Sequence, residues 1–312
     1  MSVISPIADL TYRGYDGPMN TADHRWWAIA KMMMRQAIKK KGFWICGVLS
    51  GWYYMVMMVV FYFVDVLSAN AGAIHNQFLS NINWKDQFTT GISTAQLFLL
   101  FVAMVIGIGT IANDNRANAL LVYLSKPCTK LDYLIGKWVG IFIPLYCVAL
   151  VPGLIFWAYI AMSFREYGSV SSAPWVPLQL LVISAFPAFL MASLCVGISS
   201  LFNQGRNAGF MLFGAYFVSN IFTKMMGGIY LLVSDSRIIK DLFYASVDGL
   251  SIGMAKLAMF TDGSTMMVQR SQQAAVTVGR PDAWFAILAF FGISALSAWV
   301  AWTRIRPVEV VG

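Results

Sequence analysis

The chain has 312 residues, of which 59% are hydrophobic and only 12% charged, with a formal net charge of +8. Soluble domains average about 45–50% apolar and about 25% charged residues. That gap excludes a soluble all-α protein, whose helices would need polar faces that these apolar runs lack, and no soluble domain of ordinary size fits between the runs.

Taken in order, residues 1–20 carry Pro6, Gly14, Gly17 and Pro18 and read as an irregular arm. From Ala22 the pattern changes. Trp26, Ala30, Met33, Met34, Ala37 and Ile38 recur at helical spacing on one side, while Lys31, Arg35 and Lys39 fill another. This describes an amphipathic helix in the membrane interface with its basic residues at the headgroups, so Trp26, Lys31 and Arg35 read first as anchors. Residues 1–42 thus form a cytoplasmic arm and interfacial helix, followed by a transmembrane domain over 43–303 and a short tail, 304–312.

A bilayer core asks for about 20 apolar residues per helix. Six runs meet that demand: 43–66, 92–112, 139–162, 178–202, 209–233 and 283–303. The first is rich in Met and aromatic residues, Tyr54 and Met58 among them, and either lines a hydrophobic substrate path or faces lipid and neighbouring helices. Ala103 and Gly107, then Ser184, Ala188 and Ala192, then Ser294 and Ala298 repeat small residues at every fourth position, as expected where helix backbones approach closely in lipid. Pro144, Pro152 and Pro187 are expected to bend or open their helices. In the fifth run, Lys224 stands beside Gly227-Gly228; it either faces a cavity on a possible substrate path or snorkels to the headgroups. The 234–282 segment carries short apolar pieces too brief to span.

Charge gives the topology. With the N-terminus inside, fourteen Lys/Arg fall on the cytoplasmic side against two in the short outer loops, so both termini are expected in the cytoplasm. The four cysteines, at 46, 128, 147 and 195, have no paired or metal-type spacing and read as reduced packing residues. A secretory signal is not expected, since the first apolar run follows 42 largely polar residues. His24 and His75 fall on opposite sides of the membrane, and the Met-rich spans lack His or Cys at ligand spacing, so no metal site is expected.

The one organised polar stretch inside this greasy chain is 113–137. Ala117, Leu120, Leu121 and Leu124 fall at i, i+3, i+4 and i+7 and read as a short amphipathic helix ending at Ser125-Lys126-Pro127. Thr129 stands as the N-cap of the next helix, with Asp132 three residues on.

Asp114, Leu120-Leu121, Leu124-Ser125-Lys126-Pro127, Lys130 and Gly136-Lys137 together resemble the intracellular coupling segment of ABC-2 type transporter permeases. Asp114 stands where that family more often has glutamate, and Asn118 where it has glycine. The resemblance extends over the helix layout of nearly the whole chain. It implies an all-α polytopic membrane protein of the ABC-2 permease fold, with six transmembrane helices, the N-terminal interfacial helix and short outer helices that dip into the membrane between spans five and six. It also implies a paired permease, with a like or related chain, and a separate cytoplasmic ATPase on each half. That partner would hold ATP and Mg and would contact Asp114, Arg116, Leu120, Leu121, Lys126, Pro127 and Lys130, and the interfacial helix as well. The location implied is the cell inner (plasma) membrane, the direction export, and no nucleic acid is involved; the apolar first span leans toward a hydrophobic or amphipathic cargo.

Catalytic devices are missing. No Gly-x-x-x-x-Gly-Lys-Ser/Thr, His-Glu-x-x-His, Gly-x-Ser-x-Gly or Cys-x-x-Cys occurs, so the chain carries no nucleotide-binding or catalytic motif of its own. The rival readings are a secondary transporter or channel without an ATPase, a membrane enzyme, and a scaffold of the same fold that transports nothing.

Overall fold

A computed structural model describes residues 25–68, 82–117, 119, 128–164, 174–232, 236–263, 267–268 and 276–305. The arm, His24, His75, Leu120, Leu121, Lys126, Pro127 and the helix expected over 117–124 lie outside them, apart from Ala117 and Ala119. The described elements are α1 (Arg25–Ile38), α2 (Lys41–Ser50), α3 (Trp52–Ser68), α4 (Trp84–Ile106), α5 (Ala112–Arg116), α6 (Lys130–Ser163), α7 (Val176–Ser200), α8 (Gly205–Leu232), α9 (Arg237–Leu242), α10 (Val247–Met259) and α11 (Ala283–Arg304). A two-residue antiparallel pair, β1 (Met267–Val268) and β2 (Val276–Thr277), is the only sheet among them.

Helices α4, α6, α7 and α11 are long and apolar enough to cross a membrane, and the α2–α3 pair makes a fifth span if counted as one. Each of the six expected runs is matched by one of these elements or by α8. That helix is long enough at 28 residues, but Ser219, Asn220, Thr223 and Lys224 dilute its apolar character. The first span also departs from expectation. Instead of one helix over 43–66, α2 and α3 meet at a 42° bend around Gly51. The cause is packing: a Cβ on Gly51 would lie 2.9 Å from the Pro152 ring of α6, so only glycine lets the two helices meet there.

Helix α7 is the axis of the bundle. Ser184, Ala188 and Ala192 are buried on it, as are Ala103 of α4 and Ser294 of α11, so those small residues do sit at helix contacts. Ala298 is exposed instead, and the close approach of α11 falls at Gly197, where an added Cβ would come within 2.9 Å of Ser297. Pro144 and Pro152 both lie inside the single 34-residue α6. At 1.5 Å per residue that helix runs about 50 Å, well beyond a hydrocarbon core of about 30 Å.

The bundle has two distinct ends. At the first, α1, the 107–116 turn, the start of α6, the end of α7 and the start of α8 converge. At the opposite end α4, α7 and α11 begin, and an aromatic cluster of Tyr54, Phe61, Trp84, Phe88, Phe156 and Phe164 closes the gap between α3, α4 and α6. The described residues of 237–263 and 276–282 belong to this opposite end. Its α10 begins deep: Tyr216 and Asn220, midway along α8, donate to Asp248 at 2.8 and 2.9 Å, and α10 then climbs until Gln179 donates to the Ala258 carbonyl at 3.1 Å.

A buried lysine pins the cover of this end. Lys256 is fully buried and donates to the Tyr244 hydroxyl and the Val278 carbonyl, each at 3.0 Å, while Tyr244 donates to the Gly279 carbonyl at 2.9 Å. Thr261 in turn donates to Asp86, and Asp262 holds Arg280 at 3.2 Å. Burial pulls the Lys256 ammonium down to about 8, against the weaker pull of Asp262 and Asp86. Between pH 8 and 10 the unfolded chain therefore keeps a proton that the folded chain has shed, and stability rises with pH across that window. Thermal unfolding followed from pH 7.5 to 9.5 should show this rise in the native chain and lose it in Lys256→Met; an equal slope in both would contradict the assignment.

Candidate functional site

The start of α6 is built by its own sequence. The Thr129 side chain accepts from the Asp132 amide and the Asp132 carboxylate accepts from the Thr129 amide at 3.1 Å, a reciprocal cap that fixes where the helix begins. Eight residues into α6, Lys137 is buried and faces back across the turn that follows α4. Its ammonium lies 2.7 Å from Asp114 Oδ2 and donates to the Thr110 carbonyl at 3.1 Å, and the buried Tyr133 hydroxyl donates to the same carboxylate at 2.8 Å. Tyr133 and Lys137 are one helical turn apart, so one face of α6 grips Asp114 twice.

The short α5 also depends on its neighbours. Ile111 at its N-cap supplies no side-chain bond; Ser199 of α7 accepts from the Ile111 and Ala112 amides at 3.1 and 3.0 Å and donates to the Ile108 carbonyl at 2.6 Å. The orphan amides of a helix start are thereby satisfied by another helix. A Cβ on Gly205 would stand 3.0 Å from the Gly109 Cα, so the start of α8 presses backbone to backbone on the same turn. Helix α1 completes the group: Gly136 and Gly140 of α6 let it lie close, with added Cβ atoms at 2.7 Å from the Trp26 carbonyl and 2.8 Å from Met33.

The expected residues divide accordingly. Asp114 is held inside the chain by Tyr133 and Lys137, so it braces α5 rather than standing free. Arg116 is exposed on the outer turn of α5, and Lys130 lies 4.3 Å from the Trp302 ring centroid, tying the start of α6 to the end of α11. Lys31 and Arg35 are exposed on α1, whose apolar side, Ile29, Ala30, Met33 and Ala37, is buried by protein rather than by headgroups. Tyr54 is a core residue, donating to the Phe88 carbonyl at 3.2 Å, and with Met58 it walls an apolar groove of about 560 Å³ between α2–α3 and α6. Lys224 is exposed on α8. Tyr133 and Ser199 were not singled out by sequence, since nothing local marks a side chain whose partner lies 19 or 88 residues away. Among the described residues no group of His, Cys, Asp and Glu could hold a metal ion.

A cleft of about 840 Å³ opens beside this brace, between α1, the end of α4, α5 and the start of α8. Lys40, Arg116 and Arg206 line it together with the paired Asp114 and Lys137.

Residues 27–302 match the family model of the ABC-2 family transporter protein, and the chain belongs to that family. It is accordingly a multi-pass membrane protein and a permease-type transmembrane subunit of the ABC transporters. No curated protein matches the chain in sequence.

Removing one member of a buried ion pair costs roughly 3–5 kcal/mol, because the other is left uncompensated. Lys137→Met should therefore lower thermal stability in detergent markedly, and Asp114→Asn combined with Lys137→Met should recover at least half of the loss. A double variant no better than Lys137→Met alone would show that the pair is not the brace.

Proposed function

We propose that the chain is the permease subunit of an ATP-driven exporter, coupled to a separate ATPase through the 113–137 segment and α1. The observation that supports this most is the convergence at the first end. A push on the exposed side of α5 reaches α6 through Asp114 to Lys137, α7 through Ser199 and α8 through the Gly109–Gly205 contact. Such a surface moves several helices as one, which is what coupling to an external motor requires.

On this reading the first end is cytoplasmic, with both termini, and the protein sits in the inner (plasma) membrane. The six spans are α2–α3, α4, α6, α7, α8 and α11, and α9 and α10 are the short outer helices. Two permease copies enclose the path, each carrying one ATPase. ATP and Mg belong to that partner, whose contacts on this chain are Arg116, Lys130, Lys31, Arg35 and the Leu120, Leu121, Lys126 and Pro127 stretch, with Asp114 acting through its brace. The apolar groove walled by Tyr54 and Met58 favours a hydrophobic or amphipathic cargo.

A transporter working without an ATPase draws on one observation, the half-buried Asp248 at the start of α10, which faces the middle of α8. Its described partners, Tyr216 and Asn220, are both uncharged, which fits a structural tie better than a relay of ionisable pairs.

The test is reconstitution with the ATPase that co-purifies with the chain. Pro127→Ala, and Asp114→Asn combined with Lys137→Met so that no lone charge stays buried, should insert normally and bind nucleotide-loaded partner, yet lose transport by an order of magnitude or more while ATP turnover continues. Full transport in both variants, or no ATPase in the purified complex, would overturn the proposal.

A further inference from the structure

The cleft beside the brace has a charge pattern that the coupling role uses only at Arg116. Met32 and Met33 of α1 and Met104, Val105 and Ile108 around the end of α4 give part of its lining an apolar character, beside the polar Gln36, Asn113 and Gln204. Three cations join them. Lys40, in the break between α1 and α2, donates to the Val105 carbonyl at 2.6 Å and is thereby held over the cleft with further N–H groups to offer. Arg206 stands in the first turn of α8, whose amide-bearing start adds partial positive charge, and Arg116 closes the third side. Among the described residues the one carboxylate lining the cleft, Asp114, is already taken by Lys137 and Tyr133. Among the described residues no ion pair is made by Lys40, Arg116 or Arg206, so three cations line one volume and no described carboxylate balances them.

We infer that this cleft binds the phosphate headgroup of an anionic phospholipid, with Lys40, Arg116 and Arg206 toward the phosphate and the glycerol and upper acyl carbons against the lining methionines. Lipid fits better than an acidic protein segment. Apolar side chains beside three cations match an amphipathic anion, and these side chains belong to α1 and to the end of a membrane helix, where lipid headgroups meet protein. Occupied, the site would tie α1 to α8 across the 107–116 turn and stiffen the brace from outside.

The inference depends on the multi-pass reading but not on ATPase coupling, so the two can fail separately. The experiment uses the full chain alone in nanodiscs of phosphatidylcholine with or without one-quarter phosphatidylglycerol, read by native mass spectrometry after transfer to detergent. The native chain should retain phosphatidylglycerol over phosphatidylcholine, and Arg206→Gln with Lys40→Gln should lose that preference by about tenfold. Arg206→Gln alone, which spares the Lys40 bond to α4, should lose part of it and guards against misfolding. Lys39→Gln, which removes a cation just past α1 and outside the cleft, should keep it. Added inorganic phosphate should compete only at high concentration, as expected if acyl contacts contribute. Equal retention in all variants, an equal loss in Lys39→Gln, or full competition by free phosphate would each overturn the assignment.

Discussion

A single buried ion pair carries the organisation of the first end. Asp114 and Lys137 are 2.7 Å apart, with the lysine side chain 5% exposed and the carboxylate 20%. Charges this far from water are costly unless each is satisfied, and here Tyr133 and the Thr110 carbonyl complete the set. The consequence is mechanical. The five residues of α5 are too few to be stable as an isolated helix, and they hold their shape because α6 grips one side and Ser199 of α7 caps the start.

Close backbone approach does the remaining work. Gly136 and Gly140 admit α1 against α6, Gly51 admits the bend of α2–α3 against Pro152, Gly197 admits α11 against α7, and Gly109 meets Gly205. In lipid no hydrophobic drive pulls helices together, so van der Waals contact at such points is what the bundle relies on. The long α6 gains most from this, because it carries the contacts of the first end and the aromatic cluster of the other on one continuous element. Motion at its start is therefore transmitted along its length rather than absorbed locally.

Much of this was legible in the sequence, and the limits are physical. Apolar runs marked the long helices because length and hydropathy are local properties, and Thr129 with Asp132 marked the start of α6 for the same reason. Lys137 was visible as part of a motif, but not as the partner of Asp114, since the pairing needs α6 to fold back across the turn after α4. The Gly51 bend was hidden because its cause, Pro152, lies a hundred residues away. Lys224 stands out as a charge in an apolar run, yet the lysines that are buried are Lys137 and Lys256, whose partners come from distant parts of the chain. Sequence also suggested that α1 floats in the interface; its buried side turned out to be claimed by the glycines of α6.

The central claim is that the exposed side of α5 receives force from another polypeptide in the cytoplasm. The most direct measurement places a photo-activatable cross-linker at Arg116 in native membranes and identifies what it captures. The account expects one dominant adduct with an ABC ATPase, stronger when nucleotide is bound. Adducts with lipid alone, or reaction of that position with membrane-impermeant reagents added from outside, would contradict it.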